Sequence, residues 1–269
     1  MSVANFKPTI WSREILFQFR ALRNFAALTN SNYEGDIEEA GDSVRITTPS
    51  ALTVNSVSGA LNYQSTNSTQ QTLSIDQEKY VAFAVKDVDR VQANVDLMEE
   101  YTVEAGQSLA DDSDEYIASL YTDAGDNVAG GALTKEDIYD AVVDAATKLS
   151  QQKTPQTGRV GVVSPAFHGL LTKSPEFISA SDLGDEVRQS GAIGQIAGFT
   201  LFQAHNVVVD SGTEYNLFGH PASIAFASQL MDMEAIRLQD SFATGIRGQH
   251  LYGAKVVRPE ALVSLSRTV

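Results

Sequence analysis

Leu97, Tyr101, Ala105, Leu109, Ser113, Ile117 and Tyr121 stand at four-residue steps, with Met98 and Leu120 beside them and acids around them. That spacing returns each side chain to one face of a helix. A helix over residues 92–121 would run roughly 45 Å, at 1.5 Å per residue. Globular helices average about 11–12 residues. One narrow apolar stripe on so long a helix predicts a strut laid across a sheet, not a core helix buried all round. The rest of the chain must be arranged around this rod, and the glycines of 125–131 break it.

Upstream the period is two. Val44 and Ile46, Leu52 and Val54, Leu73 and Ile75, then Val81, Phe83 and Val85 alternate with polar residues. This is strand patterning with one buried face. The intervening stretch 55–71 is rich in Ser, Thr, Asn and Gln, and its larger apolar groups are Val57, Leu61 and Tyr63. The pattern predicts a long two-stranded excursion with a polar tip. Such a ribbon is marginal alone and needs something to pack on. The first thirty residues crowd Phe6, Ile10, Trp11, Phe17, Phe19, Phe25 and Leu28 between basic and small residues. That much apolar surface must be buried, on its own domain or on a neighbour.

Downstream, Thr134 is the expected N-cap of a helix whose apolar face is Ile138, Val142, Ala145, Ala146 and Leu149. Residues 160–163 read as a buried strand ending at Ser164-Pro165, followed by a short helix carrying Phe167, Leu170 and Leu171. Residues 199–202 and 207–209 read as strands, and 245–269 is mostly strand-like, with a turn at Arg258-Pro259. Alternating helices and strands predict an α/β or α+β subdomain.

The 269 residues include 43% hydrophobic residues, enough for a core. Nothing in the sequence approaches the ~20-residue apolar run of a membrane helix. Residues 1–20 lack the pattern of a secretory leader, so none is expected. There is no cysteine, hence no disulfide framework and no thiolate chemistry. The net charge is −15, which argues against broad electrostatic binding to nucleic acid. The charge is uneven. Residues 86–126 hold twelve acids against Lys86 and Arg90, a net −10, whereas 1–30 and 237–269 are each +3. A solvated acidic face explains this, and so does charge-complementary contact between copies; composition leaves both open.

Catalytic patterns do not emerge. The four histidines, His168, His205, His220 and His250, never stand three or four apart, so helical metal spacing is absent. No G-x-S-x-G occurs, and Ser164, followed by Pro165, reads as a turn serine. Acid pairs such as Asp111-Asp112 and Glu99-Glu100 diverge around the helix and read as solvated charges. Gly191 to Gly198 lacks the G-K-[ST] ending of a phosphate loop and leads into a strand. No catalytic residue, cofactor or metal is expected, and the weight moves to a structural function.

The order of these parts resembles the major capsid protein of tailed bacteriophages, the α+β fold named after phage Hong Kong 97. Local text agrees: Asn5-Phe6-Lys7-Pro8-Thr9-Ile10-Trp11, then Tyr33-Glu34-Gly35 and Ala40-Gly41-Asp42, are similar to the opening of a phage coat-protein branch. So are the stretches 73–80, 92–98, 193–199 and 245–259, and the likeness covers nearly the whole chain. The resemblance implies an N-terminal arm (1–33) reaching over a neighbour and an extended β-hairpin loop (34–86) lying on the next subunit. It implies a peripheral domain with the spine helix (87–127), an axial domain (128–229), peripheral return strands (230–258) and a C-terminal strand (259–269) toward the axial domain.

It further implies self-assembly into homo-pentamers and homo-hexamers of an icosahedral virion shell, built in the host cytoplasm and enclosing DNA without specific binding. No membrane is involved. A separate scaffolding protein and a portal are implied partners, and a decoration protein is admitted. The inter-subunit contacts expected on arm and loop are Phe6, Trp11, Arg13, Phe17, Arg20, Arg23, Val57, Leu61, Tyr63 and Arg247. Some relatives crosslink subunits through Lys and Asn; with no Lys between Arg45 and Lys79, that chemistry is not expected. The competing readings are an encapsulin-type compartment shell, a tail-tube or other virion ring protein, and a cytosolic hydrolase with an unrecognised site.

Overall fold

The computed structural model describes residues 24–31, 43–49, 68–86, 97–175, 194–230 and 234–269. The strands are β1 (Thr29–Asn30), β2 (Ser43–Pro49), β3 (Ser68–Ser74), β4 (Gln77–Lys86), β5 (Asp126–Ala129), β6 (Arg159–Val163), β7 (Gln195–Ile196), β8 (Phe199–Gln203), β9 (Val209–Asp210), β10 (Thr213–Gly219), β11 (Ile224–Leu230), β12 (Glu234–Arg237), β13 (Ala243–Val256) and β14 (Leu262–Thr268). The helices are α1 (Leu97–Ser119), α2 (Ile138–Gln151) and α3 (Pro165–Leu171).

The first sheet is organised by β13. One edge of this long strand pairs with β4, from Ala243↔Lys86 to Tyr252↔Gln77. Its other edge carries β12 beside residues 244–247 and β11 beside residues 250–256. The short β1 adds to β11 in parallel. Alternation along the strands gives the sheet two different faces. Val85 and Ile246 point to α1 and pack with Ala105, Leu109 and Ala110. The opposite face carries the β2–β3 hairpin, where Val44, Ile46, Leu73 and Ile75 pack on Ala225, Ala227 and Leu251.

The expected strut is present, and Ala105, Leu109, Ser113 and Ile117 are buried as the stripe predicts. The ends of the stripe differ: Tyr101 is 49% exposed, and Tyr121 lies in a 3-10 turn (Leu120–Asp123) beyond the helix. At 3.6 residues per turn each four-residue step advances about 40° around the axis. The row therefore winds around the axis, and toward the C-terminal end of α1 the buried face widens to include Ala110, Asp114 and Ala118.

The second sheet runs β5-β14-β10-β6-β8-β7, with β9 on β10. Helix α2 lays Ile138, Val142, Ala145 and Leu149 on it, completing a core with Phe167, Phe199, Phe218 and Leu265. The helix starts later than expected. Thr134 Oγ1 donates to Asp137 Oδ2 at 2.6 Å, and the Ile138 N–H reaches the Thr134 carbonyl at 3.2 Å. Residues 135–137 form a turn, so Asp137 holds the cap position. Ser164, expected in a turn, is the N-cap of α3: its Oγ accepts the Phe167 N–H at 3.0 Å and donates to Glu214 Oε2 at 2.8 Å. Of the strand expected at 207–209, only Val209 is in one. A further core joins the two sheets, with Phe25 and Leu28 among Ile117, Val162, Leu217, Phe226 and Tyr252.

Candidate assembly interface

The hairpin covers only part of the outer face of the first sheet. Its base is held by backbone-directed polar contacts: Lys255 Nζ donates to the Thr72 carbonyl at 2.9 Å, and Gln71 Nε2 to the Val257 carbonyl at 3.2 Å. Gly253 permits the close seat, because a Cβ there would lie 2.2 Å from the Ser74 carbonyl oxygen. Farther along β13 none of the described residues continues this cover.

The uncovered part is a groove of about 320 Å³ lined by Ala82, Ala84, Gly245, Ile236, Leu238 and Arg247, among others. Register explains its shape. Ala84 pairs with Gly245, and Gly245 with Ile236, so small residues form a floor beside a branched wall. Arg247 closes one end through Nη2 to Glu234 Oε2 at 2.6 Å. Around it stand Tyr80, 79% exposed, and Phe242, 83% exposed, with Ile236 and Leu238 partly open. Large apolar groups clustered at a rim with charged neighbours are the mark of a contact surface.

On the other face, polar contacts lock the strut to the sheet. Tyr252 Oη donates to Asp112 Oδ2 at 2.6 Å, with Lys79 Nζ 3.5 Å from Asp112 Oδ1. Tyr116 Oη donates to Asp76 Oδ1 at 3.3 Å. Burial, and then the Asp112 carboxylate, push the Tyr252 hydroxyl well above its ordinary pKa of 10.0, so it stays a donor. Asp111 receives Asn206 Nδ2 at 3.2 Å and lies 3.3 Å from His205 Nε2. Asp111 is exposed, as its reading as solvated charge expects, while Asp112 is half-buried and held by Tyr252 and Lys79; the sequence does not reveal the partner on β13.

Of the expected contact residues, Phe6, Trp11, Arg13, Phe17, Arg20, Arg23, Val57, Leu61 and Tyr63 lie outside the described residues. Arg247 is described, exposed and paired to Glu234. Sequence reasoning missed Ile236, Leu238 and Phe242. β12 is too short to show a period, but Phe242, a lone aromatic in the polar run Gln239-Asp240-Ser241, was a readable signal. Among the described residues no three acids or histidines group as a metal site, and no helix is long and apolar enough to cross a membrane.

A strut helix lies on one face of the first sheet, and a hairpin base and an open apolar rim share the other. Comparison with known proteins gives this arrangement a family. The phage capsid protein family matches residues 70–265, and the chain belongs to that family. A solved structure from Mycobacterium phage Che8 is similar at 33% identity and TM-score 0.75, over 90% of each chain. The capsid of cyanophage P-SCSP1u shares the fold at 17% identity and TM-score 0.68, over 89% of this chain and 85% of that one. A virus-like particle from Pyrococcus furiosus shares it at 13% identity and TM-score 0.64, over 98% and 100%. No curated protein matches. The chain is therefore a capsid shell protein of the virion, with the Hong Kong 97-type α+β fold, and its family and structural neighbours are structural proteins, not enzymes.

Proposed function

We propose that this chain is the major capsid protein of a tailed virus, assembling through homo-pentamers and homo-hexamers into an icosahedral shell around double-stranded DNA. The observation that carries the reading is the half-covered outer face of the first sheet. Its own hairpin base seals one half, and the groove beside Ile236 and Leu238 continues the same face without cover. In the proposed assembly the loop within residues 34–86, beyond the base seated on its own first sheet, lies on the next subunit's peripheral domain, and the arm within residues 1–33, ahead of the core residues Phe25 and Leu28, reaches over a neighbour. The net +3 of residues 1–30 is opposite in sign to the acids exposed on α1, such as Glu100, Glu104 and Glu115, and complementary charge between copies would set orientation. Heterologous contacts of this kind close into rings. The peripheral domain holds 87–127 and 230–258, the axial domain 128–229, with 259–269 returning toward it. A scaffolding protein, a portal and a decoration protein complete the proposed partners, and assembly takes place in the host cytoplasm.

The likeness to the Pyrococcus furiosus particle favours a second reading, an encapsulin-type compartment shell of the same fold. Electron microscopy of the purified protein and of particles from infected cells separates the outcomes. Icosahedral shells with packaged DNA are expected; shells filled with protein cargo support the compartment, tubes a tail component, and a lasting monomer defeats all three. Deleting residues 55–71 is expected to block shells while leaving a folded subunit.

A further inference from the structure

The acids of α1 are not alike. Glu100, Glu104, Asp111 and Glu115 are exposed, whereas Asp114 is 1% exposed. Its Oδ2 accepts the backbone N–H of Asn24 at 2.7 Å and that of Phe25 at 3.4 Å. A buried carboxylate carries a large desolvation cost unless donors meet it. Here the donors are the backbone groups of Asn24 and Phe25, ninety and eighty-nine residues upstream.

The residues that follow are fixed in three further ways. Phe25 and Leu28 are inserted in the core that joins the two sheets, beside Ile117 and Phe226. Thr29 Oγ1 closes the 3-10 turn on the Ala26 carbonyl at 3.1 Å. β1 then pairs in parallel with Ile224 and Ala225. The plug and the strand hold the segment in place, but both are compatible with several directions for the chain ahead of Asn24. Two N–H groups directed at one carboxylate oxygen are not, because hydrogen bonds weaken steeply off axis.

We infer that Asp114 is a positioning residue that fixes where, and in which direction, residues 1–23 leave the subunit. The inference rests on the proposed role of those residues as an arm over a neighbour. It makes the root of the arm part of the strut helix. A displacement of α1 redirects the arm, and a pull on the arm is borne by Asp114.

Three chains test this: Asp114→Asn, which keeps an oxygen acceptor; Asp114→Leu, which fills the buried space without one; and a chain lacking residues 1–23. Each is compared with the unaltered protein for the thermal midpoint of free subunits, amide exchange, and yield of closed shells by electron microscopy. Asp114→Asn should assemble normally. Asp114→Leu and the truncation should both fold, the leucine variant with a small fall in midpoint from the two N–H groups it leaves unpaired, yet both should give at least tenfold fewer closed shells. In Asp114→Leu, faster exchange should be confined to residues 24–28.

Normal shells from Asp114→Leu overturn the assignment. So does failure of Asp114→Asn to assemble, and so does faster exchange throughout α1 and the core, or failure of both variants to fold, since the carboxylate then serves the fold as a whole. Normal shells from the truncated chain defeat the arm reading itself, and any loss in Asp114→Leu would then have another origin. Loss in the truncated chain with normal Asp114→Leu shells defeats the anchor alone.

Discussion

The two sheets treat their apolar surface differently. The second sheet buries most of its apolar surface: α2, α3 and the strands enclose Phe167, Phe199 and Phe218 in one core, with ring centroids of Phe199 and Phe218 5.1 Å apart, while Phe202 and Val209 stay exposed. Its interior also holds a paired polar cluster. Glu214, 2% exposed, receives Arg267 Nη1 at 2.9 Å, Ser164 Oγ and Asn216 Nδ2. The first sheet has a helix on one face and half a cover on the other, and Tyr80, Tyr101, Ile236, Leu238 and Phe242 remain exposed around it. In the proposed shell this contrast is a division of labour: one region supplies the stability of the subunit, the other the surface that assembly buries.

If so, damage to the closed region should appear as lost stability. Phe218→Ala empties the centre of the second core, and a large-to-small change of this kind costs about 3–5 kcal/mol. Urea unfolding of free subunits should show that loss. A loss under about 1 kcal/mol would mean that the core relaxes around the gap and the contrast is weaker than drawn.

A smaller effect is expected where the hairpin meets the sheet. Gly253→Ala places a methyl against the Ser74 carbonyl, a backbone atom that cannot swing aside. Overpacking costs about 1–3 kcal/mol. The hairpin base should lift, so protease cleavage within 68–75 should rise and shell yield fall. Unchanged cleavage would show that the hairpin is held by Lys255 and Gln71 rather than by its seat on β13.

Acid should loosen the closed region further, by less. Burial, then the Arg258 and Arg159 charges, hold His220 below its ordinary pKa of 6.5. Burial alone lowers His168. His220 Nδ1 accepts the Ala222 N–H at 3.1 Å, which requires that nitrogen unprotonated. Below pH 6.5 the unfolded chain therefore binds protons that the folded chain refuses, and stability falls as pH drops toward the folded values. Denaturant midpoints should fall between pH 7.5 and 5.5, and His220→Gln should flatten the dependence. A flat profile in the unaltered protein would remove both histidines from the account.

How much of this was legible in the sequence follows the range of the interactions. The strut, β4, β6 and α2 were readable because periods of 3.6 and 2 are local, and Ala105, Leu109 and Ile117 lie where the period puts them. The groove was not, since Ala82, Ala84 and Gly245 carry no pattern and gain meaning only from register with a strand some 160 residues away. Asp114 was hidden for the same reason. Its sequence neighbours Asp111, Asp112 and Glu115 are all at least partly exposed, and what sets it apart is a backbone ninety residues upstream.

The smallest effect on the subunit is expected where the proposed effect on the shell is large. Phe242→Ser and Leu238→Ser change side chains at an open rim, and such surface substitutions stay within about 0.5 kcal/mol. Free subunits of the double variant should unfold at the same urea concentration as the unaltered chain, yet give fewer closed shells, because each contact that buries the rim is repeated through the whole assembly and small deficits compound. Phe218→Ala should show the reverse, with unstable subunits whose surviving folded fraction still assembles. If Phe242→Ser with Leu238→Ser instead lowers stability as Phe218→Ala does, the rim belongs to the subunit's own core. If it changes neither stability nor shell yield, the groove is an ordinary exposed patch and the covering chain lies elsewhere on the sheet.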